Sequence, residues 1–126
     1  MGYRSVVAIS MKKAAFDKNV GSALKDFKDC SSVKQTKDTV TFYWDDVKWY
    51  EDYADVKSIM GVLSKLEDEE FGFLRIGEDD DDIERLGEPW EFELYISRNI
   101  ELDYCGEDIE KDKFFAPNSI KFIKEG

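Results

Sequence analysis

Residues 3–11 alternate along the chain. Tyr3, Ser5, Val7, Ile9 and Met11 fall on one side, and Arg4, Val6, Ala8 and Ser10 on the other. Both sides are mostly apolar or small, the pattern of a central strand covered on two faces. From Lys13 to Asp29 the period lengthens. Phe16, Val20, Leu24 and Phe27, with Ala23 beside them, make one stripe of an amphipathic helix of about four turns. Gly21 interrupts it, at a cost of up to about 1 kcal/mol against alanine. A hairpin follows, with Val33 to Lys37 and Thr39 to Trp44 flanking a Lys37-Asp38 turn. Val40, Phe42 and Trp44 face one way, Thr39, Thr41 and Tyr43 the other, and β-branched and aromatic residues dominate as strands prefer. Asp45 and Asp46 break the run.

Val56, Ile59, Met60, Leu63 and Leu66 form a second helical stripe, with Asp52 or Asp55 placed to cap it. The stripe runs into Glu67, Asp68, Glu69 and Glu70. Negative charge at a helix C-terminus opposes the macrodipole, so tertiary contacts or solvation must outweigh it. Phe71, Phe73 and Arg75 alternate with Gly72, Leu74 and Ile76 in a short strand ending at Gly77. Residues 77–89 read as a loop. From Trp90 to Tyr104 apolar residues hold the even positions (except Arg98), and most odd ones are polar, the pattern of a one-sided strand. Fifteen residues exceed the usual strand of up to about 10, which predicts a bend or bulge near Ser97 to Asn99. After Gly106 come a helical turn at Asp108 to Phe114 and a short apolar segment with Ile120, Phe122 and Ile123.

The order is β-α-β-β-α-β-β plus a tail. It predicts an α+β fold: a two-layer sandwich of a mostly antiparallel sheet with two helices on one face. The first six elements follow a ferredoxin-like split βαβ order. The chain reads as one domain over residues 1–126, with residues 106–126 as a tail that docks on it.

Charge changes this picture. The chain has 126 residues, 18 basic and 29 acidic side chains, a formal net charge of −11 and no histidine. Residues 67–93 hold 13 acids against Arg75 and Arg85, so this one segment carries the whole excess. Direct nucleic-acid binding needs a basic stripe and an anionic membrane surface needs a basic cluster, so both are disfavoured. A basic protein partner or a solvated face is favoured. No apolar run suits a membrane span, and the first residues lack the apolar core of an export signal.

The absent histidine removes Cys-His and Ser-His-Asp chemistry. It also removes zinc sites that need an imidazole, and Cys30 and Cys105 alone are too few for a thiolate site. Both cysteines are expected to be reduced thiols. The loop holding Glu78, Asp79, Asp80, Asp81, Asp82 and Glu84 misses the EF-hand pattern, because the sixth and twelfth positions counted from Asp79 are Glu84 and Trp90. No metal or cofactor is expected. Trp44, Trp49, Tyr50 and Tyr53 interleave with Asp45, Asp46, Glu51 and Asp52. Such a cluster packs into a core or presents rings and carboxylates to an Arg- or Lys-bearing partner. Arg4, Arg75 and Arg98 lie on strands and are expected to pair with an acid or reach solvent.

Three patches also resemble a known group. They are Met1-Gly2-Tyr3-Arg4-Ser5; Trp44-Asp45-Asp46-Val47-Lys48-Trp49-Tyr50 with Asp55-Val56; and Arg75-Ile76-Gly77-Glu78-Asp79 with Asp81-Asp82-Ile83-Glu84. The chain is similar there to small, mostly uncharacterised proteins of bacteriophages and prophages that open with Gly-Tyr-Arg-Ser. The resemblance implies an accessory protein working in the bacterial host cytoplasm.

The expected function is a non-enzymatic acidic protein that binds a basic surface on a host protein and inhibits or modulates it. Where that surface holds nucleic acid, the protein would mimic its charge. The expected binding residues are Glu67, Asp68, Glu69, Glu70, Glu78, Asp79, Asp80, Asp81, Asp82 and Glu84, with Trp44, Trp49 and Tyr50. A small metal- or ligand-binding enzyme, or a virion or assembly component, is the alternative, and self-association stays open.

Overall fold

The computed structural model describes residues 3–19, 21–79, 81–96, 100–102, 106–109, 114 and 115. Its main sheet has six strands, all pairings antiparallel. They are β1 (Ser5–Lys12), β2 (Ser32–Gln35), β3 (Thr39–Val47), β4 (Phe71–Ile76), β5 (Ile83–Gly87) and β8 (Glu107–Ile109). Their order across the sheet is β5-β4-β1-β3-β2-β8. The inner four give the split βαβ order 4-1-3-2, and each flank gains one strand.

β1 is central, as its two apolar sides require. Val7, Ile9 and Met11 are fully buried on the face that meets the helices, and Ala8 is fully buried on the other. Neighbouring strands keep the same alternation. Val40, Phe42 and Trp44 of β3 and Phe71 and Phe73 of β4 join the helix-side core, while Leu74 joins the opposite one. Phe27, Phe42 and Phe73 have no exposed surface. Each such ring contributes about 1.5–3 kcal/mol by leaving water.

The first helix is broken where Gly21 stands. α1 (Lys13–Asn19) ends before it, a 3-10 turn spans Gly21–Ala23, and α2 (Leu24–Lys28) follows. Gly21 has a φ of +42°, which a side chain-bearing residue rarely adopts. Phe16 and Phe27 still meet over Phe42, so the stripe survives the break.

Asp45 and Asp46 do not end β3. The strand continues to Val47, and the register against β1 slips there, with Ser5 opposite Val47 but Val7 opposite Trp44. The two aspartates thus oppose Val6 in a β-bulge. Their backbone still bonds while their side chains stay in water. Ser31 Oγ accepts from the Asp45 N–H at 2.9 Å.

α3 (Ala54–Ser64) stops before the acidic run. Glu67 and Glu70 instead form a capping box on a separate 3-10 turn, Asp68–Glu70. The acids therefore sit at the positive end of a new turn rather than the negative end of the old helix. Asp52 does not cap α3; Tyr53 stands at that position without a side-chain cap, and Asp55 accepts from the Val56 N–H at 2.8 Å.

Two expectations for the second half need correction. Residues 83–87 are a strand, not a loop: β5 pairs with β4 along its whole length. The stretch from Trp90 does not run as one strand either. Pro89–Phe92 is a 3-10 turn, and β6 (Leu94–Ile96) and β7 (Ile100–Leu102) form an antiparallel ribbon of their own. The predicted break at 97–99 lies outside the described residues, as does Arg98. Folding the stretch in two brings Leu94 and Ile100 with Phe92 onto Ala8 and Leu74, which covers the second face of the sheet. Trp90 is left 56% exposed.

The predicted helical turn at Asp108 to Phe114 begins instead as a strand, Glu107–Ile109 (β8), paired with β2, while residues 110–113 lie outside the described residues and Phe114 is helical. Phe114 and Phe115 pack on Phe42. The segment with Ile120, Phe122 and Ile123 lies outside the described residues. No helix among those described is long and apolar enough to cross a membrane.

Candidate acid-rimmed groove

α3 leaves the outer part of the sheet uncovered. Between its flank and the β4–β5 ribbon runs a groove of about 880 Å³. Val56, Lys57, Met60, Gly61 and Ser64 of α3 form one wall. Arg75 of β4 and Glu84 of β5 form the floor, because the β4–β5 register sets them opposite each other on the helix side. Tyr3, Trp49, Tyr50, Glu51 and Asp52 close one end. A smaller hollow of about 330 Å³, lined by Met60, Ser64, Leu86 and Asp68 among others, continues along α3 towards the far end of β5.

Arg75 organises the floor. Its side chain is only 11% exposed, and it donates from Nη2 to Asp82 Oδ1 at 2.6 Å and from Nη1 to Asp82 Oδ2 at 3.2 Å. Nε donates to Glu84 Oε1, and Nη1 also reaches Ser5 Oγ at 3.0 Å. This fork on a carboxylate is the strongest geometry available to a guanidinium. Burial alone would lower the Arg75 pKa, but Asp82 and Glu84 outweigh it and raise it. The same contacts, Arg75 first and the Tyr3 hydroxyl second, hold the Asp82 carboxyl below the usual carboxylate range.

Tyr3 ties the start of the chain to the acidic loop. Its hydroxyl donates to Asp82 Oδ2 at 2.7 Å and accepts from the Asp79 N–H at 2.9 Å. The bond from the Asp79 N–H would lower the Tyr3 pKa; partial burial, Asp82 and the charge of Asp79 raise it overall. The Tyr3 N–H donates to the Tyr50 hydroxyl at 2.6 Å, and the Arg4 N–H donates to Glu78 Oε2 at 2.5 Å. Gly77 lies so close beneath Tyr3 and Asp82 that a Cβ there would collide with both.

The predicted binding residues therefore separate into three groups. Asp82, Glu84 and Glu78 are engaged with Arg75, Tyr3 and the Arg4 backbone, and Glu67 and Glu70 with each other's turn. Asp68, Glu69, Asp79 and Asp81 are exposed, and among the described residues their carboxylates have no hydrogen-bond or ion-pair partner. Asp80 lies outside the described residues. Trp44, 4% exposed, is core and packs on Phe27 and Trp49, so it is corrected from surface to interior. Trp49, 8% exposed, belongs to the core and also lines the groove. Tyr50 is half-buried and stacks edge-on against Tyr53 with ring centroids 4.9 Å apart. The sequence reading missed Tyr3, Gly61 and the α3 wall, because strand-end and helix-flank residues carry no local signal of a groove made with β5.

Among the described residues no three Asp, Glu or Cys side chains gather as a metal-binding group. The fold and the site define an open antiparallel α+β sandwich with an acid-rimmed groove along its second long helix. No protein-family model, curated protein or solved structure matches the chain.

Proposed function

We propose that this protein is a non-enzymatic interaction module that binds a basic surface of another protein through the groove and the acids at its two ends. One observation carries the reading. Four carboxylates that have no hydrogen-bond or ion-pair partner among the described residues flank β4, Asp68 and Glu69 before it and Asp79 and Asp81 after it. The six residues of the strand that separates them span about 17–20 Å. Between them lie the groove and the exposed Leu86.

Such spacing brackets a basic segment that also offers apolar contact. A mimic of duplex DNA asks instead for one charge per about 1.7 Å over a whole face, and Asp82 and Glu84, which would fill the gap, are already paired with Arg75. The proposal is therefore held to a basic protein partner. With the Gly-Tyr-Arg-Ser resemblance, that partner is a host protein of the bacterial cytoplasm, inhibited or modulated by the contact.

Asp82 and Glu84 do converge in a cavity, the arrangement an acid–base hydrolase needs. However, a general acid needs a raised pKa, and Asp82 is shifted the other way. This favours the binding reading.

The test is affinity capture from a bacterial lysate with the tagged chain, followed by mass spectrometry. The comparison is a variant carrying Asp68→Asn, Glu69→Gln, Asp79→Asn and Asp81→Asn, which touches none of the structural carboxylates. The expected result is a basic protein retained by the wild type and lost by the variant. Raising salt from about 0.1 M to about 1 M shortens the screening length from about 10 Å to about 3 Å and should release it. Equal capture by both chains, indifferent to salt, counts against the proposal.

A further inference from the structure

The closed end of the groove brings aromatic rings and carboxylates together. Tyr3, Trp49 and Tyr50 supply rings, and Glu51 and Asp52 stand beside them. Both carboxylates are exposed, and neither has a hydrogen-bond or ion-pair partner among the described residues. The floor already shows what such surroundings hold well: Arg75, a guanidinium gripped by two carboxylates. Its charge is fully used there. Of the charged residues lining the groove, Glu51, Asp52, Asp82 and Glu84 exceed Lys57 and Arg75 by two negative charges.

Gly61 adds a separate observation. It sits inside α3, where glycine is less favourable than alanine. A Cβ built there meets nothing within 4 Å and its φ is ordinary, so neither the packing nor the backbone of this chain requires glycine. Its position in the groove wall supplies a reason: a side chain at 61 would narrow the space an occupant uses.

We infer that this end of the groove receives an arginine side chain of the partner, seated on the Tyr50 ring beside Trp49 and facing Glu51 and Asp52, with the partner's chain crossing α3 at Gly61. The inference rests on the proposal that the partner is a basic protein. Arginine is the occupant because its planar cation stacks on aromatic rings and forks onto a carboxylate, and it gives up water more readily than lysine's ammonium. Lys57 opposes the occupant from the wall. At about 7 Å in water one unit charge changes binding by about threefold.

The test is a titration of the isotope-labelled full chain, followed by amide and indole NMR shifts. The probe is Nα-acetyl-arginine N-methylamide, with the citrulline analogue as neutral isostere. Saturable shifts at Trp49, Tyr50, Asp52, Lys57 and Gly61 are expected for arginine and none for citrulline. Gly61→Leu should weaken binding at least tenfold at an unchanged circular dichroism spectrum, and Lys57→Gln should tighten it about threefold. If Gly61→Leu does not fold, Glu51→Gln with Asp52→Asn, both exposed, should give the same loss. Equal shifts with citrulline, shifts elsewhere, or shifts indifferent to these variants overturn the inference. Failure here with capture still dependent on Asp68, Glu69, Asp79 and Asp81 removes the arginine pocket and leaves the basic partner. A working pocket with capture indifferent to those four acids does the reverse.

Discussion

Replacing Arg75 by methionine tests whether the acidic loop is held in place or merely solvated. The substitution keeps the aliphatic stem and deletes four hydrogen bonds, to Asp82 twice, Glu84 and Ser5. It also leaves two carboxylates side by side without their counter-charge. A fully buried pair broken in this way costs about 3–5 kcal/mol, and an exposed pair about 0–1 kcal/mol. Arg75 is 11% exposed, but Asp82 and Glu84 are 32% and 45% exposed, so water takes over much of their solvation. The expected loss is about 1–2 kcal/mol, between the two limits. For 126 residues the unfolding entropy makes that a fall in melting midpoint of roughly 4–8 °C. Thermal melts would measure the midpoint, and urea melts followed by tryptophan emission the free energy. Arg75→Met with Asp82→Asn and Glu84→Gln removes the stranded charges and should recover at least half the loss. An unchanged midpoint in the single variant would refute the view that Arg75 anchors residues 78–84. A triple variant less stable than the single one would refute the charge account.

Acid should act on the same network. Asp82 has a lower pKa folded than unfolded, so the unfolded chain takes up its proton first as pH falls. Its contribution is complete above the unfolded value near 3.9 and is lost as pH drops through the folded value. The stability gap between wild type and Asp82→Asn, read by urea melts, should be constant from pH 7 to about 5 and close below about 4; a gap constant to pH 2 contradicts the coupling. Gly61→Ala should stabilise the free protein by about 0.5–1 kcal/mol, whereas Gly87→Ala, at φ +66° and against the Phe71 carbonyl, should destabilise it by more than that; thermal melts that rank the two the other way argue against the placement of α3 and β5. Leu94→Ala should cost about 2–5 kcal/mol and raise hydrogen exchange in β6 and β7 before β1, because Leu94 joins the ribbon to Ala8 and Leu74. Uniform exchange across the sheet would count against a separately attached ribbon.

Alternation and helical stripes made β1, β3, β4 and α3 legible, and with them the inner strand order. These elements bury a whole face, so their pattern is set by the core. β5 was hidden because Ile-Glu-Arg-Leu-Gly buries little: it is an edge strand, held by its pairing to β4 and by Arg75–Glu84 across it. The ribbon β6–β7 reads in sequence as one bent strand because two strands facing the same core keep the same parity on both sides of the break. Charge density places the acids along the chain but does not separate structural carboxylates from available ones. That division depends on Tyr3 and Arg75, which meet Asp82 only after β1 and β4 pair. Trp44 shows the converse limit. Aromatics beside acids look alike at an interface and at a sheet end, and only the position of Phe27 decides that Trp44 is interior.

The spatial division of the acids also gives their number a physical reason. Clustering 13 carboxylates in residues 67–93 works against folding through self-repulsion. Part of that repulsion is relieved inside the fold. Glu67 and Glu70 cap a turn, Asp82 and Glu84 surround a guanidinium, and Glu78 accepts from the Arg4 backbone. Asp68, Glu69, Asp79 and Asp81 make no hydrogen bond or ion pair among the described residues, and Asp68 and Glu69 have only the weak field of a three-residue turn to set against the repulsion of Glu67 and Glu70 beside them. Neutralising these four should therefore raise stability slightly, by a few tenths of a kcal/mol each at low salt, while neutralising Asp82 lowers it. Groups whose removal strengthens the fold need another reason to be present, and their position at the two ends of the groove is where a basic partner would supply one. If the four-acid variant melts lower than the wild type, those side chains are structural too, and the case for a bracketed partner loses its premise.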